Sequence, residues 1–276
     1  MIIHNENLNI EQIAVSGQCF RMNKMDHNKY SVIAYGKYLE LEQVDDNTVL
    51  FHCSEEEFHK IWEDYFDLQY DYKGIVDRLL TGEDEFLQKA AEYGKGIRIL
   101  KQEPFEALIS FIISQNKNIP AIKTCIEAIC RQYGERKVSH GSRPVEYYTF
   151  PSAEILAHAD KEVLRKLKTG YRDEYIIGAA KAVVQGKVHL DELKKCSHEE
   201  AVEVLKGIHG VGNKVANCIS LYGLHHIEAF PIDIWIKRVL KEIYNNGFAV
   251  EQYHGYAGIV QQYMFYYMRH LQGVKL

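Results

Sequence analysis

Two periodicities divide the chain. From Met1 to about Tyr72, apolar and polar side chains alternate in short runs: Tyr30-Ser31-Val32-Ile33-Ala34-Tyr35, Tyr38-Leu39-Glu40-Leu41 and Thr48-Val49-Leu50-Phe51-His52. Successive side chains of a strand point to opposite faces, so such runs bury one face and wet the other. Gly36-Lys37 and Asp45-Asp46-Asn47 separate them as turn formers, and the segment reads as an antiparallel meander with a few helical turns. From about Gly74 the spacing becomes helical, punctuated by Gly94, Gly96, Pro104, Pro120, Pro144, Pro151, Gly170 and Gly210. The pattern predicts an α+β protein: an N-terminal antiparallel β-sheet domain over residues 1–95, then a helical core over residues 96–276.

Within the helical part, Phe105 to Ile113 is apolar around most of its circumference and is expected to be a central buried helix. Pro120 ends that helix and, with Asn118 as cap, opens another running towards Tyr133. Ser114-Gln115-Asn116-Lys117-Asn118 is then a polar loop between two helices. A further helix carrying Leu164 and Leu167 stops at Gly170, which leaves Tyr171 and Arg172 on the turn. Ser197 and Glu200 form a capping-box pattern ahead of Ala201, Val202, Val204 and Leu205.

The chain has 276 residues, 46% of them hydrophobic, enough to bury substantial cores. A net charge of −5 argues mildly against a nucleic-acid partner, but phosphate binding needs only a local basic face. Lys161, Arg165, Lys166, Lys168 and Arg172, set against Glu162 alone, offer one, although a solvated helix face would look the same. The six cysteines (Cys19, Cys53, Cys125, Cys130, Cys196, Cys218) are scattered without metal-ligand spacing and read as reduced thiols of a cytoplasmic protein. Neither a membrane span nor a secretion signal is read from the apolar runs.

The sharpest signal is Ile208-His209-Gly210-Val211-Gly212-Asn213-Lys214, followed nineteen positions after Lys214 (233 − 214) by Pro231-Ile232-Asp233. A Gly-Val-Gly turn between two apolar-periodic segments is the hairpin of a helix-hairpin-helix, placed at about residues 198–223, whose Gly210 and Gly212 let backbone N–H groups approach a DNA phosphate. Lys214, just past the turn, can serve as an amine nucleophile if its pocket is partly desolvated, since the attacking amine must be neutral. Asp233, heading the next helix, can stabilise positive charge. Taken singly, each has a plainer reading: a structural turn, a phosphate-binding lysine, an N-cap aspartate.

Together these residues resemble the lysine-dependent DNA glycosylases, and Ser16-Gly17-Gln18-Cys19-Phe20-Arg21 narrows the resemblance to the 8-oxoguanine DNA glycosylase/AP lyase family. The likeness extends through Gly96-Ile97-Arg98-Ile99-Leu100, the loop at Gln115 to Asn118, Gly170-Tyr171-Arg172, and Tyr256-Ala257-Gly258 with Gln261. It implies a helix-hairpin-helix glycosylase core that extrudes a damaged nucleotide from duplex DNA. Lys214 would attack the sugar C1′ and form a Schiff base resolved by β-elimination, with Asp233 offsetting the oxocarbenium-like charge. The Gly17 carbonyl would accept the N7–H that 8-oxoguanine has and guanine lacks. Cys218 and Phe265 would sandwich the base and Gln261 would read its Watson-Crick edge. Asn116 would fill the gap, Tyr171 would be the wedge, and Arg172 would face the opposite base. The implied partner is double-stranded DNA containing 8-oxoguanine, bound by a monomer with no metal and no organic cofactor. On the residues alone, Phe265 and Cys218 fit core positions equally well, and Asn116 fits a cap. Rival readings are a glycosylase for another lesion, such as alkylated purines, and a non-catalytic DNA-binding protein.

The chain departs from the eukaryotic branch at Ala121, where that branch has a second arginine reading the opposite cytosine, and at Trp235 and Met268, where it has histidine and aspartate. Lys117 replaces an asparagine. A methyl group cannot make a bidentate base contact, each of which is worth about 1–3 kcal/mol of discrimination. Excision of 8-oxoguanine opposite adenine or guanine is therefore expected at rates approaching those opposite cytosine, and Ala121→Arg should raise the cytosine preference. Single-turnover rates against all four opposite bases measure this; a wild-type cytosine preference above roughly a hundredfold would contradict it.

Overall fold

The computed structural model describes residues 1–139 and 143–273, and two hydrophobic cores organise them. The first lies against a five-stranded antiparallel sheet in the order β1-β5-β4-β3-β2. Its strands are β1 (Ile2–His4), β2 (Met22–Asp26), β3 (Lys29–Ala34), β4 (Lys37–Asp45) and β5 (Thr48–Phe51). Tyr30 faces Leu41 and Val32 faces Leu39, so the alternation read from the sequence puts one face indoors. That face is closed by α1 (Ile10–Val15) and by α2 (Glu55–Glu57) and α3 (Glu63–Tyr65), which a π-helical turn at Phe58–Trp62 joins. Phe51 meets Phe58 and Phe66 edge-on at 5.1 and 5.3 Å between ring centres.

The helical body comprises α4 (Tyr72–Leu80), α5 (Glu85–Gly94), α6 (Pro104–Ser114) and α7 (Ile119–Tyr133). A small hairpin, β6 (Arg136–Val138) and β7 (Glu146–Tyr148), follows. Then come α8 (Ala153–Ala157), α9 (Lys161–Leu164), α10 (Asp173–Val184), α11 (Leu190–Leu193), α12 (His198–Lys206), α13 (Asn213–Tyr222), α14 (Ile234–Glu242) and α15 (Ala257–Leu271). Every residue of α6 from Ala107 to Ile113 is buried, and α7, α10 and α13 pack around it, as its unbroken apolar circumference requires. Helices α4 and α5 precede the expected boundary at residue 95, yet they send Tyr72, Ile75, Val76, Leu79, Leu87, Ala90 and Ala91 into this second core. The two cores thus divide near residue 71. Among the described residues no helix is long and apolar enough to cross a membrane.

Arg98 rivets the two layers. Only 1% exposed, it donates to the carbonyls of Asn7, Phe66, Asp67 and Tyr70 at 3.1, 3.1, 2.6 and 2.9 Å, and its guanidinium lies 4.0 Å from the Tyr72 ring centre. The Asp67 carboxylate accepts from the Tyr72 hydroxyl at 3.1 Å and pairs with Lys101 at 3.1 Å. Buried carbonyls deprived of a charged donor bear their full desolvation penalty. Arg98→Met is expected to cost about 3 kcal/mol or more. Denaturant unfolding reads this directly, and an unchanged midpoint would mean that other donors satisfy those carbonyls.

Candidate active site

Ser197 caps α12 with a reciprocal capping box to Glu200, and the chain then turns through residues 207–212 into α13. Gly210 takes φ +89°, and a Cβ there would lie 2.3 Å from the Tyr175 ring, so the turn closes over that aromatic only with glycine. Gly212 caps α13 without any side-chain partner for the first-turn N–H groups. These donors face an open groove of about 550 Å³ lined by Gln115, Tyr171, Tyr175, Lys206 and the turn itself. Unpaired N–H groups at a helix start, with the positive end of its dipole, suit an anion such as phosphate.

One residue into α13, Lys214 is half-buried, with Nζ 5.8 Å from the Phe111 ring centre. Phe111 stacks on Tyr222 at 5.3 Å, which walls the amine on its apolar side. Asp233 caps α14 and accepts from the N–H groups of Trp235 and Ile236 at 2.9 and 2.8 Å. Burial raises the Asp233 carboxyl above its ordinary pKa, against the opposing pull of the Ile236 N–H, Lys214, the Trp235 N–H and Arg269. Burial likewise pushes the Cys218 thiol up, the Lys214 ammonium working against the shift and Asp233 adding to it. Lys214, Cys218 and Asp233 therefore share one electrostatic neighbourhood, although they stand on two helices.

The Ser16-Gly17-Gln18 loop arrives from the sheet layer. Gly17 takes φ +80°, and a Cβ there would sit 3.4 Å from the Phe265 ring and 3.6 Å from Ile119. Buried amides fix the loop. Gln18 donates to Ser16 Oγ and to the Arg98 carbonyl and accepts from the Leu100 N–H, while Gln102 donates to the Gln18 carbonyl at 2.8 Å. Gln262, fully buried on α15, donates to the Ser16 carbonyl at 2.7 Å and accepts from the Tyr222 hydroxyl. Gln261 beside it is also buried and accepts from Tyr222 at 3.4 Å. The expected base-pocket residues Gly17 and Phe265 thus lie side by side, with room for no more than a methyl group between them, and Gln261 and Cys218 both border Tyr222 or its helix.

A third group lies at the surface. Asn116, left-handed at φ +50°, points Nδ2 at the Tyr171 hydroxyl at 3.4 Å, and Tyr171 is 52% exposed. Arg172 lies beneath them rather than outside: it is 5% exposed, its guanidinium is 4.4 Å from the Tyr171 ring centre, and Nε has no partner. It donates to the carbonyls of Thr169 and Gln115. Gln115 in turn donates to the Gly210 carbonyl at 3.0 Å, so the Asn116 loop, the Tyr171 turn and the hairpin form one connected unit. Ala121 stands in the first turn of α7, its N–H taken by the Asn118 cap at 2.9 Å.

Phe111, Gln115, Tyr175, Tyr222, Gln262 and Arg269 belong to this constellation without having been singled out in the sequence. The signals available were polar residues on otherwise apolar helix faces, Gln262 and Arg269 on α15 being the plainest. Among the described residues, no group of three or more His, Cys, Asp or Glu side chains is placed to hold a metal ion.

Known proteins resemble this chain in sequence and fold. The family described as 8-oxoguanine DNA glycosylase, N-terminal domain, matches residues 1–108, and the HhH-GPD superfamily of base excision DNA repair proteins matches residues 109–250. An N-glycosylase/DNA lyase of Saccharomyces cerevisiae is 31% identical over 274 residues, covering 88% of this chain and 70% of its own length. A probable N-glycosylase/DNA lyase of Methanothermobacter thermautotrophicus is 30% identical over 233 residues, covering 74% of this chain and 72% of its own. The crystal structure of Clostridium acetobutylicum 8-oxoguanine glycosylase/lyase, in complex with double-stranded DNA containing cytosine opposite 8-oxoguanine, matches with a TM-score of 0.90 at 33% identity, over 99% of this chain and 98% of that one. With both halves matched in order, the chain belongs to the 8-oxoguanine DNA glycosylase family of HhH-GPD base excision repair proteins.

Proposed function

We propose that this chain excises 8-oxoguanine from duplex DNA and cleaves the abasic strand, with Lys214 as nucleophile and Asp233 as charge stabiliser. The observation that carries the reading is a half-buried Lys214 beside the Phe111 ring, with Cys218 one turn along the same helix and the α14 cap Asp233 acting on both. The hairpin N–H groups anchor a phosphate, Asn116 and Tyr171 enter the duplex, and the extruded nucleotide lies between hairpin and pocket. The Lys214 amine bonds to C1′ as the C1′–N9 bond breaks, the electron pair leaving with the base and the amine giving up a proton. The aminal so formed opens its ring, the C1′–O4′ bond breaking as O4′ takes a proton, to give the Schiff base; loss of a C2′ proton to a base then breaks the C3′–O3′ bond and releases the 3′ phosphate. Asp233, already aimed by two backbone N–H groups, needs no reorganisation to face the sugar cation. Gly17 and Phe265 define the base pocket, with Gln261 and Cys218 completing it. Arg172 reaches the opposite base by exchanging the Gln115 carbonyl for a base edge. Six free cysteines support a cytoplasmic site of action.

An alkylated-purine glycosylase would leave the clamped Gly17 loop without a role. Assays on 8-oxoguanine and methylated-base duplexes separate the two.

Lys214→Gln deletes the nucleophile but leaves the hairpin donors in place. Base release and strand cleavage are both expected to vanish while duplex affinity persists. Borohydride trapping followed by peptide mapping checks this, and an adduct on another lysine would overturn the assignment.

Asp233→Asn separates charge from capping. Because burial raises the folded-state pKa of Asp233 above its unfolded value, ionisation weighs against the fold at neutral pH, and the burden lifts as pH falls through the folded pKa. Asparagine caps a helix as well as aspartate. The variant should melt no lower than wild type at neutral pH, yet excise roughly 10²- to 10³-fold more slowly. A clear drop in Tm would contradict the stability sign, and unchanged single-turnover excision would reduce Asp233 to a cap.

A further inference from the structure

Arg269 follows Phe265 by one helical turn on α15, so the two side chains leave the same face. It is 6% exposed, and its guanidinium carbon lies 5.3 Å from the Phe265 ring centre. One long hydrogen bond, 3.4 Å from Nη1 to the Val15 carbonyl, is its contact with the chain segment that leads into the Gly17 loop. Its remaining nitrogens make no hydrogen bond among the described residues, and none is sealed from solvent. An arginine so buried and so sparsely bonded is costly unless a charge compensates it. Helix α14, capped by Asp233, packs on α15, and Asp233 is the anion that acts on Arg269.

Two cations bear on Asp233: Lys214 from α13 and Arg269 from α15. The reaction removes the first, because an attacking amine is neutral, at the moment when a charged carboxylate is most needed. Arginine keeps its charge throughout. We propose that Arg269 is a positioning residue of the active site, holding Asp233 ionised once Lys214 has given up its charge and steadying the Phe265 ring as it does so. The inference rests on the roles assigned above to Lys214 and Asp233. Where the eukaryotic branch has histidine and aspartate at the positions of Trp235 and Met268, this chain carries a cation at the next residue of α15.

The groups facing this pair are Lys214, Cys218 and Tyr222 on α13, the Trp235 and Ile236 N–H groups on α14, and Tyr266 on α15, on which Tyr93 of α5 and Glu11 of α1 also act. Activity requires ionised Asp233, so it falls on the acid side as pH drops through that group's pKa, and loss of a nearby cation moves this limb to higher pH. Single-turnover excision is measured against pH for wild type, Arg269→Met, Arg269→Gln and Arg269→Lys, with Asp233→Asn marking which limb belongs to the aspartate. Either neutral variant should move the acid limb up by about one pH unit, a roughly tenfold loss below it, and Arg269→Lys should restore its position. A merely structural role would lower rate or stability at every pH without moving the limb. Limbs of the folded neutral variants that coincide with wild type would overturn the proposal. Borohydride trapping at Lys214 in wild type keeps the two readings apart: no adduct sinks the lysine mechanism itself, whereas an adduct with an unmoved limb sinks the Arg269 role alone.

Discussion

The structure turns on a carboxylate kept charged where burial disfavours it. Asp233 sits at the start of α14, where two backbone N–H groups at 2.8 and 2.9 Å hold it and Lys214 of α13 acts on its charge. Those N–H groups are the orphan donors that any helix start must satisfy, so the cap that begins α14 also aims the charge. Burial raises the pKa of the carboxyl, while Lys214 and Arg269 oppose the rise. Nearly everything else in the helical body serves this meeting. The buried α6 is the platform, Phe111 walls the amine, and α15 closes the far side.

The second constraint is that the base pocket is assembled from chain ends far apart in sequence. Gln262 holds the Ser16 carbonyl across 246 residues, and Arg98 and Gln18 tie the same loop to the sheet layer. The amides of this network bond to backbone groups and to the Ser16 and Tyr222 hydroxyls, which makes the loop rigid; with any of them removed, its partners would be buried and unpaired. A glycine left-handed at position 17 then presents bare backbone beside Phe265. The base discrimination proposed for the Gly17 carbonyl would need this rigidity, since a mobile acceptor would adapt to either base.

Local signals made the fold and the candidate pair, Lys214 and Asp233, legible. The Asn118 and Ser197 caps, the all-round apolar α6 and the Gly-Val-Gly turn each act over a few residues, and each appears where periodicity and capping place it. Strand β2 went unread because it is an edge strand with Asn23, Lys24 and Asp26 turned outward, and β1 because it is three residues long. The π-helical turn at Phe58–Trp62 has no sequence signature comparable to a cap. The harder residues were those defined by partners: Gln115 by the Gly210 carbonyl, Gln262 by Ser16, Arg269 by Asp233 and Phe265. Arg172 shows the converse, a residue whose chain position is legible but whose side chain turns inward to bind the Gln115 carbonyl instead of standing at the surface.

The most direct test of this account is the titration of the Asp233 side-chain carboxyl itself, followed by carbon-13 NMR in the free protein and assigned by its loss in Asp233→Asn. The midpoint should lie above that of an ordinary aspartate and rise further in Lys214→Gln, because burial and the lysine charge act on it in opposite directions. A midpoint at or below the ordinary value, unmoved by loss of Lys214, would show that the two groups do not share a site and would contradict the account.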